Sequence, residues 1–182
     1  MPIGACFATT SHFAGAHSGD MLRHVIDVNV PKDNVRLELK LTSGQWQAVE
    51  LFLAKNAAGH HGSERVEDVL NGPDDFFPVR VPGQASIRLI SREKVTRVRL
   101  PHEPEVSAGD PDIELVSRHE VDLLLEDGES LRGVVEFIRP AGHARLLDFL
   151  NEGPLFFRFV GESHSFLINK YHVSQVDFLA FP

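Results

Sequence analysis

The sequence predicts a mainly β protein built from two tandem small five-stranded barrels, each of which carries one short helix. Three observations predict this fold class: a segment of 13 residues that occurs twice, runs in which apolar and polar residues alternate, and turn residues between those runs. In each copy they predict the element order β-β-α-β-β-β.

The duplication is clearest in residues 65–77, which recur as residues 145–157 with six identities at one spacing. Flanking positions match as well, at an offset that drifts from 84 to 85, then 80, then 78 residues. The matched positions are Leu39, Leu41 and Gly44 with Leu123, Leu125 and Gly128, then Val49 and Phe52 with Val134 and Phe137, then Ile90, Val95 and Val98 with Ile168, Val173 and Val176. Each change of offset falls between segments, where turns tolerate insertions. We therefore place the first repeat at residues 25–101 and the second at residues 118–182.

The elements of the first repeat follow from its residue pattern. Residues 35–42 alternate between apolar and polar side chains, which is the period of a half-buried strand. A Ser-Gly turn leads to a second strand at residues 46–53. Ser63 is placed to cap a short helix, and Asn71 is placed to end it in the left-handed conformation. Further strands are predicted at residues 76–81, 87–90 and 95–100.

Two segments lie outside this core pattern. Residues 1–24 form an N-terminal segment that we expect to be mobile, because its small and polar residues show no periodicity. Residues 25–30 can add an edge strand to the first repeat. Residues 102–117 carry five acidic residues and no basic ones, and we interpret them as an acidic linker between the repeats.

Composition and charge restrict the function classes. The net charge of −8 makes the chain a poor general binder of nucleic acid, although residues 35–101 alone carry +2. No apolar run reaches the roughly 18 to 20 residues of a membrane span. The first 20 residues lack the Lys or Arg of a secretory signal, and Cys6 has no partner for a disulfide. We therefore expect a cytoplasmic protein without membrane contact.

The duplicated segment repeats a set of polar residues that we interpret as structural: Arg65, Asp68, Asn71, Arg145, Asp148 and Asn151. The arginine and the aspartate of each set lie three residues apart on the helix, which suits an ion pair that pins it. A ligand contact shared by both copies is the alternative.

The paired phenylalanines are the candidates for partner binding. Adjacent side chains of a strand point to opposite faces, so Phe77 and Phe157 are expected inside and Phe76 and Phe156 outside. The outer rings either pack under the helix or between the copies, or they form an exposed patch for a partner protein.

A basic cluster in the first repeat is the candidate anion site: Arg80, Arg88, Arg92, Lys94, Arg97 and Arg99. It is either a solvated sheet face that meets the linker or the second repeat, or a local site for an acidic partner, a phosphate or RNA.

The histidines and the absence of enzyme motifs give weaker indications of function. His60, His61 and His143 lie in equivalent loops and could serve a metal or an enzyme, but they lack the spacing of a known metal motif. The sequence has no phosphate-binding loop, nucleophile elbow or dinucleotide fingerprint. We expect no enzyme, no catalytic residue, no metal site and no cofactor.

Two segments of the second repeat resemble Sm-like and SH3-like small barrels: residues 125–137, a strand, turn and strand bent at a glycine, and residues 166–176, a short strand pair. In bacterial RNA chaperones of the Sm-like family, a lysine and a histidine of the second motif contact RNA, so the resemblance implies this role for Lys170 and His172. The repeated helix and Phe-Phe strand are also similar to uncharacterised bacterial domains.

The function we favour is a non-enzymatic binding or adaptor module in regulation or signalling, whose partner is another protein or a second copy of the chain. The alternative is an RNA- or nucleotide-binding protein of Sm-like type that uses the basic cluster. An enzyme or metal protein is the third hypothesis.

Overall fold

The computed structural model describes residues 32–57, 61–101, 116–138 and 145–179. The predicted mobile segment at residues 1–24, the predicted edge strand at residues 25–30 and most of the predicted linker lie outside the described residues.

Both repeats contain the predicted elements in the predicted order. In the first repeat these are β1 (Lys32–Leu41), β2 (Trp46–Ala54), α1 (Val66–Leu70), β3 (Phe76–Arg80), β4 (Ile87–Ser91) and β5 (Val95–Arg99). In the second they are β6 (Val116–Leu125), β7 (Ser130–Ile138), α2 (Leu146–Glu152), β8 (Phe156–Gly161), β9 (Ser165–Asn169) and β10 (Val173–Phe178). A single 3₁₀ turn precedes the last strand of each repeat, at Arg92–Lys94 and Lys170–His172.

The strands form one antiparallel sheet in the order β10-β6-β7-β8-β9-β5-β1-β2-β3-β4. Each repeat therefore contributes five neighbouring strands in the same internal order, and the two halves join where β5 pairs with β9. The mainly β prediction is confirmed. Two separate tandem barrels are not confirmed, because the strands of both repeats are continuous in this sheet.

The pairing of strands corrects one part of the repeat alignment. Leu37 pairs with Val49 in the first hairpin, and Val121 pairs with Gly133 in the second, so the offset of 84 continues through the second strand of each repeat. The predicted offset of 85 there is wrong. A slip of one residue exchanges the two faces of a strand, and Phe52 is accordingly only half-buried, unlike Phe137. The hairpin turns have equal length, and each contains a glycine in the left-handed region (φ +84° and +81°).

The helices begin later than predicted. Arg65, and not Ser63, is the N-cap residue of α1, where its backbone N–H donates to the Asp68 carboxylate at 2.7 Å. The predicted Arg-Asp spacing thus produces a cap at the start of the helix, which leaves fewer backbone N–H groups without a partner. Arg145 and Asp148 occupy the same positions in α2.

The helix ends differ between the repeats. Asn71 ends α1 as predicted, but at φ −98°, outside the left-handed region. Its equivalent Asn151 lies inside the last turn of α2, which continues to Glu152. The described helices have five and seven residues, and none in the described ranges is long and apolar enough to cross a membrane.

Two apolar cores lie on the sheet, one for each repeat. Leu39, Leu51 and Val79 belong to the first core, and their equivalents Leu123, Val135 and Phe159 belong to the second. Each helix packs its apolar face onto the core of its own repeat. The predicted linker is shorter than expected, because β6 already begins at Val116.

Candidate functional site

The junction between the repeats is an antiparallel strand pair. Val98 of β5 lies opposite Leu167 of β9, with Arg97 opposite Ile168 on one side of this pair and Arg99 opposite Phe166 on the other. The backbone N–H of Leu100 extends the ladder by donating to the carbonyl of Ser165 at 2.9 Å. Backbone hydrogen bonds therefore connect the repeats as they connect strands within each repeat.

Side-chain amides close this junction at both ends. Asn71 donates from Nδ2 to the carbonyl of Phe156 at 3.0 Å and accepts from the N–H of Phe156 at 2.8 Å. At the other end, Asn169 is buried and donates to the carbonyl of Val95 at 3.0 Å. Both amides satisfy backbone groups that would otherwise be left without a partner. Asn71 was predicted only to end a helix, since nothing local in the sequence indicates a contact 85 residues away.

Each repeat inserts apolar side chains into the core of the other. Phe156 and Leu167 of the second repeat belong to the first core, and Trp46 of the first repeat packs against the second core. Phe156 is 1% exposed, whereas its equivalent Phe76 is 57% exposed. The structure therefore divides the predicted outer pair: one ring packs between the copies, and the other remains at the surface.

Four charged groups form an ion cluster at the junction: Lys40, Arg97, Asp127 and Glu129. The Lys40 ammonium lies 2.6 Å from the Asp127 carboxylate and 3.0 Å from that of Glu129. Arg97 is fully buried, donates to Glu129 and lies 4.0 Å from Asp127. Its guanidinium also stacks over Trp46 at 5.2 Å. Arg97 thus meets the second repeat, which was one of the two interpretations of the basic cluster.

The other three members of the ion cluster, Lys40, Asp127 and Glu129, were not predicted as site residues. Lys40 sits on the polar side of an alternating strand, and Asp127 and Glu129 flank the glycine of a hairpin turn. Charged residues at such positions are usually solvated. Only the excess of cations on β1 and β5, which are neighbours in the sheet, could have indicated that carboxylates lie opposite them.

The cluster shifts the pKa values of its own members. Burial alone would raise the pKa of Asp127, but hydrogen bonds from Lys40 and from a backbone N–H hold it below its usual value. Burial would likewise raise the pKa of Glu129, but hydrogen bonds from Arg97 and Lys40 hold it below its usual value. The hydrogen bond to Asp127 raises the pKa of Lys40 despite its burial.

Acid is therefore expected to weaken the junction. Carboxylates with a lowered folded-state pKa stabilise the fold above their unfolded pKa values near 3.8 and 4.5, and this contribution is lost as pH falls through the folded-state values. Lys40 adds stability below its unfolded pKa near 10.5 that is lost only as pH rises through its higher folded-state pKa. Urea midpoints measured between pH 7 and pH 3 should fall more steeply for the wild type than for the double variant Asp127→Asn, Glu129→Gln. Equal slopes would show that the cluster does not titrate with folding, and Glu120→Gln serves as the control on an exposed pair with Arg132.

Arg92 and its equivalent Lys170 cap the ends of the helices. Arg92 is buried and donates to the carbonyl of Val69 at 3.0 Å, and burial lowers its pKa. Lys170 donates to the carbonyls of Asn151 and Gly153 at 3.3 and 2.8 Å. A cation at a helix C-terminus satisfies carbonyls that have no partner within the helix. These predicted anion-site residues therefore share a structural contact in both repeats.

The remaining predicted anion-site residues are spread over different contacts. Arg99 pairs with Glu38 and stacks over Trp46 at 4.7 Å. Lys94 lies 3.3 Å from Glu93, and Arg88 is exposed on β4 beside Gln47. His172 contacts the carboxylate of Glu126 at 2.7 Å and the carbonyl of Glu93 at 2.9 Å across the junction. Arg97 and Arg99 therefore share the ring of Trp46, whereas Arg92, Lys94 and Arg88 have other partners.

Exposed apolar side chains gather at the two ends of the sheet. Within the described residues, no strand pairs with the outer side of β4 or of β10. In the part of the chain that the structure describes, the exposed large hydrophobic residues are Phe76, Ile87, Leu89, Ile138, Leu147, Tyr171 and Phe178. Three of them, Phe76, Ile87 and Leu89, lie on or beside β4, and we call this end the β4 edge. Phe178 lies on β10, and we call the opposite end the β10 edge.

The histidine hypothesis receives no test at two of its positions. His60 and His143 lie outside the described residues, and His61 is exposed. Among the residues that the structure describes, no group of three His, Cys, Asp or Glu side chains could hold a metal ion.

Fold and site together define a mainly β protein of two repeats, with a buried junction between them and an apolar edge at each end of the sheet. Comparison with models of protein families, with curated protein sequences and with solved structures finds no match. The resemblance to Sm-like and SH3-like barrels stays a prediction.

Proposed function

We propose that this chain is a non-enzymatic protein-binding module that takes a β-strand of its partner onto the β4 edge. The observation that carries the proposal is the exposure of Ile87 and Leu89 on β4, a strand whose outer backbone groups have no described partner, and of Phe76 on the neighbouring β3. Strand addition to a sheet edge uses such backbone groups for affinity and apolar side chains for specificity. Natural proteins rarely leave an apolar edge uncovered unless something binds there.

The junction supports this proposal by showing the same kind of contact inside the chain. β9 is added to the edge of β5 and covers Val98, Leu100 and the first core. The fold thus already stabilises one partner strand by edge pairing, and the partner expected at β4 is likewise an extended segment with alternating apolar residues.

Substitution of Leu89 by arginine is expected to abolish partner capture. Leu89 is 65% exposed, so the charged side chain should leave the fold intact while it blocks an apolar strand from pairing. The measurement is affinity capture from native lysate, with and without nuclease, followed by identification of proteins and nucleic acid.

Ile138→Arg is the matched control, because Ile138 is equally exposed but lies away from both edges. Proteins that are retained by the wild type and by this control, survive nuclease and are lost with Leu89→Arg support the proposal. RNA retained by all three, with proteins lost after nuclease, would replace it with the RNA-binding alternative.

A further inference from the structure

We propose that the strand bound at the β4 edge is β10 of a second copy of this chain, so that copies associate head to tail. This inference rests on the proposed function and names its partner. Its basis is the duplication: β4 is the equivalent of β9, and β10 is the equivalent of β5. The pair β5–β9 that joins the repeats inside one chain can therefore form again between chains.

The exposed hydrophobic residues occupy the positions that this contact requires. Phe76 and Leu89 are the equivalents of Phe156 and Leu167, which the junction buries in the core of the neighbouring repeat. On the other side, Phe178 is the equivalent of Leu100, which the junction also buries. Of the seven large hydrophobic residues that are exposed in the described ranges, six have equivalents at the junction: Phe76, Ile87, Leu89, Leu147, Tyr171 and Phe178.

The register copied from the junction brings opposite charges together. Arg99 lies opposite Phe166 inside the chain, and the equivalent pair between chains is Asp177 opposite Arg88. Beside it, Val176 would lie opposite Leu89, as Val98 lies opposite Leu167. Opposite charges at facing positions stabilise an antiparallel pair, and like charges there destabilise it.

Polar contacts of the junction also have equivalents. Asn151 is exposed on α2 and occupies the position of Asn71, so its amide can bind the backbone of Phe76 in the next copy. The contact between Arg158 and Glu67 is replaced by an apolar one between Pro78 and Leu147.

In the contact between copies, neutral residues occupy all four positions of the ion cluster, those of the cations on one copy and those of the carboxylates on the other. The two cations correspond to Leu124 and Gln175, and the two carboxylates to Ser43 and Gln45. No charge of the cluster is therefore left buried without a partner in the contact between copies.

The β4 edge and the β10 edge differ in sequence, so the contact between copies joins unlike edges. Each added copy therefore leaves one edge of its own unpaired until the assembly closes into a ring. Sedimentation of the purified full chain is expected to give a mass above the 20.3 kDa of one copy. Leu89→Arg and Phe178→Arg should each give single copies with an unchanged circular dichroism spectrum, since both side chains are exposed, whereas Ile138→Arg should assemble like the wild type.

Mixing the two blocked variants identifies the pairing of unlike edges. Leu89→Arg keeps a working β10 edge and Phe178→Arg keeps a working β4 edge, so an equimolar mixture should form dimers at twice 20.3 kDa. Arg88→Asp and Asp177→Arg should each raise the dissociation constant about tenfold, and their combination in one chain should restore it.

A wild type that remains a single copy, a mixture that forms no dimer, or charge reversals that do not rescue each other would overturn this inference. A wild type that stays single but still captures another protein through Leu89 would overturn the inference alone. Absence of both self-association and capture would overturn the proposed function with it.

Discussion

Replacement of Phe156 by alanine is expected to lower the free energy of unfolding by about 3 to 5 kcal/mol. The same change at Phe76 should lower it by less than about 0.5 kcal/mol. The two residues occupy one position of the repeat, but Phe156 is buried in the first core and Phe76 is exposed. Truncation of the buried ring removes apolar contacts and leaves a cavity, whereas truncation of the exposed ring leaves no cavity.

Urea denaturation in the Leu89→Arg background, in which copies are not expected to associate, measures both changes. Because Phe156 belongs to the second repeat but packs in the core of the first, its truncation should weaken both halves in one cooperative transition. Equal costs at Phe156 and Phe76 would contradict the packing of the junction. Phe157→Ala, in the second core, gives the cost of a buried ring within its own repeat.

Replacement of Arg97 by methionine is expected to lower the free energy of unfolding by about 3 kcal/mol. Arg97 is fully buried, donates to Glu129 and stacks over Trp46. Its loss removes one cation from the ion cluster and leaves two carboxylates facing Lys40 alone. The control is Arg36→Met, an exposed residue paired with Glu50 at 3.2 Å, which should cost no more than about 1 kcal/mol.

A double-mutant cycle with Glu129→Gln separates the ion pair from packing. The two changes should couple by about 0.5 to 3 kcal/mol, because each removes the same charge-assisted hydrogen bond. Well-packed apolar groups can replace buried ion pairs without loss. An Arg97→Met variant as stable as the wild type would therefore show that packing, and not charge, holds this part of the junction.

Local patterns predicted most of the fold. Alternation along β1 and the Ser-Gly turn after it depend on neighbours in sequence, so both were found. The repeat itself predicted that β6 to β10 copy the first five strands. The errors also have local causes: the offset slipped by one in β2, and Ser63 was favoured over Arg65 because a serine is the commoner cap.

The candidate site was predicted only as separate residues. Phe156, Arg97 and Asn71 were all noted, but their contacts join positions 85 or 32 residues apart, and no period in the sequence reports such distances. The predicted anion-site residues show the same limit, since cations that are close in sequence have different partners: Arg92 contacts the end of α1, Arg97 the carboxylate of Glu129 and Arg99 that of Glu38.

By itself the sequence determined the duplication and the element order, because these depend on residue type and on spacing within one repeat. Only the tertiary structure decided which copy of each equivalent residue is buried. Phe156 and Phe76 occupy the same position of the repeat, and their difference arises because β9 pairs with β5 and excludes water from one of them, while β4 has no described strand on its outer side. Whether a side chain is buried depends on which strands pair beside it, so equivalent residues of the two repeats lie in different environments.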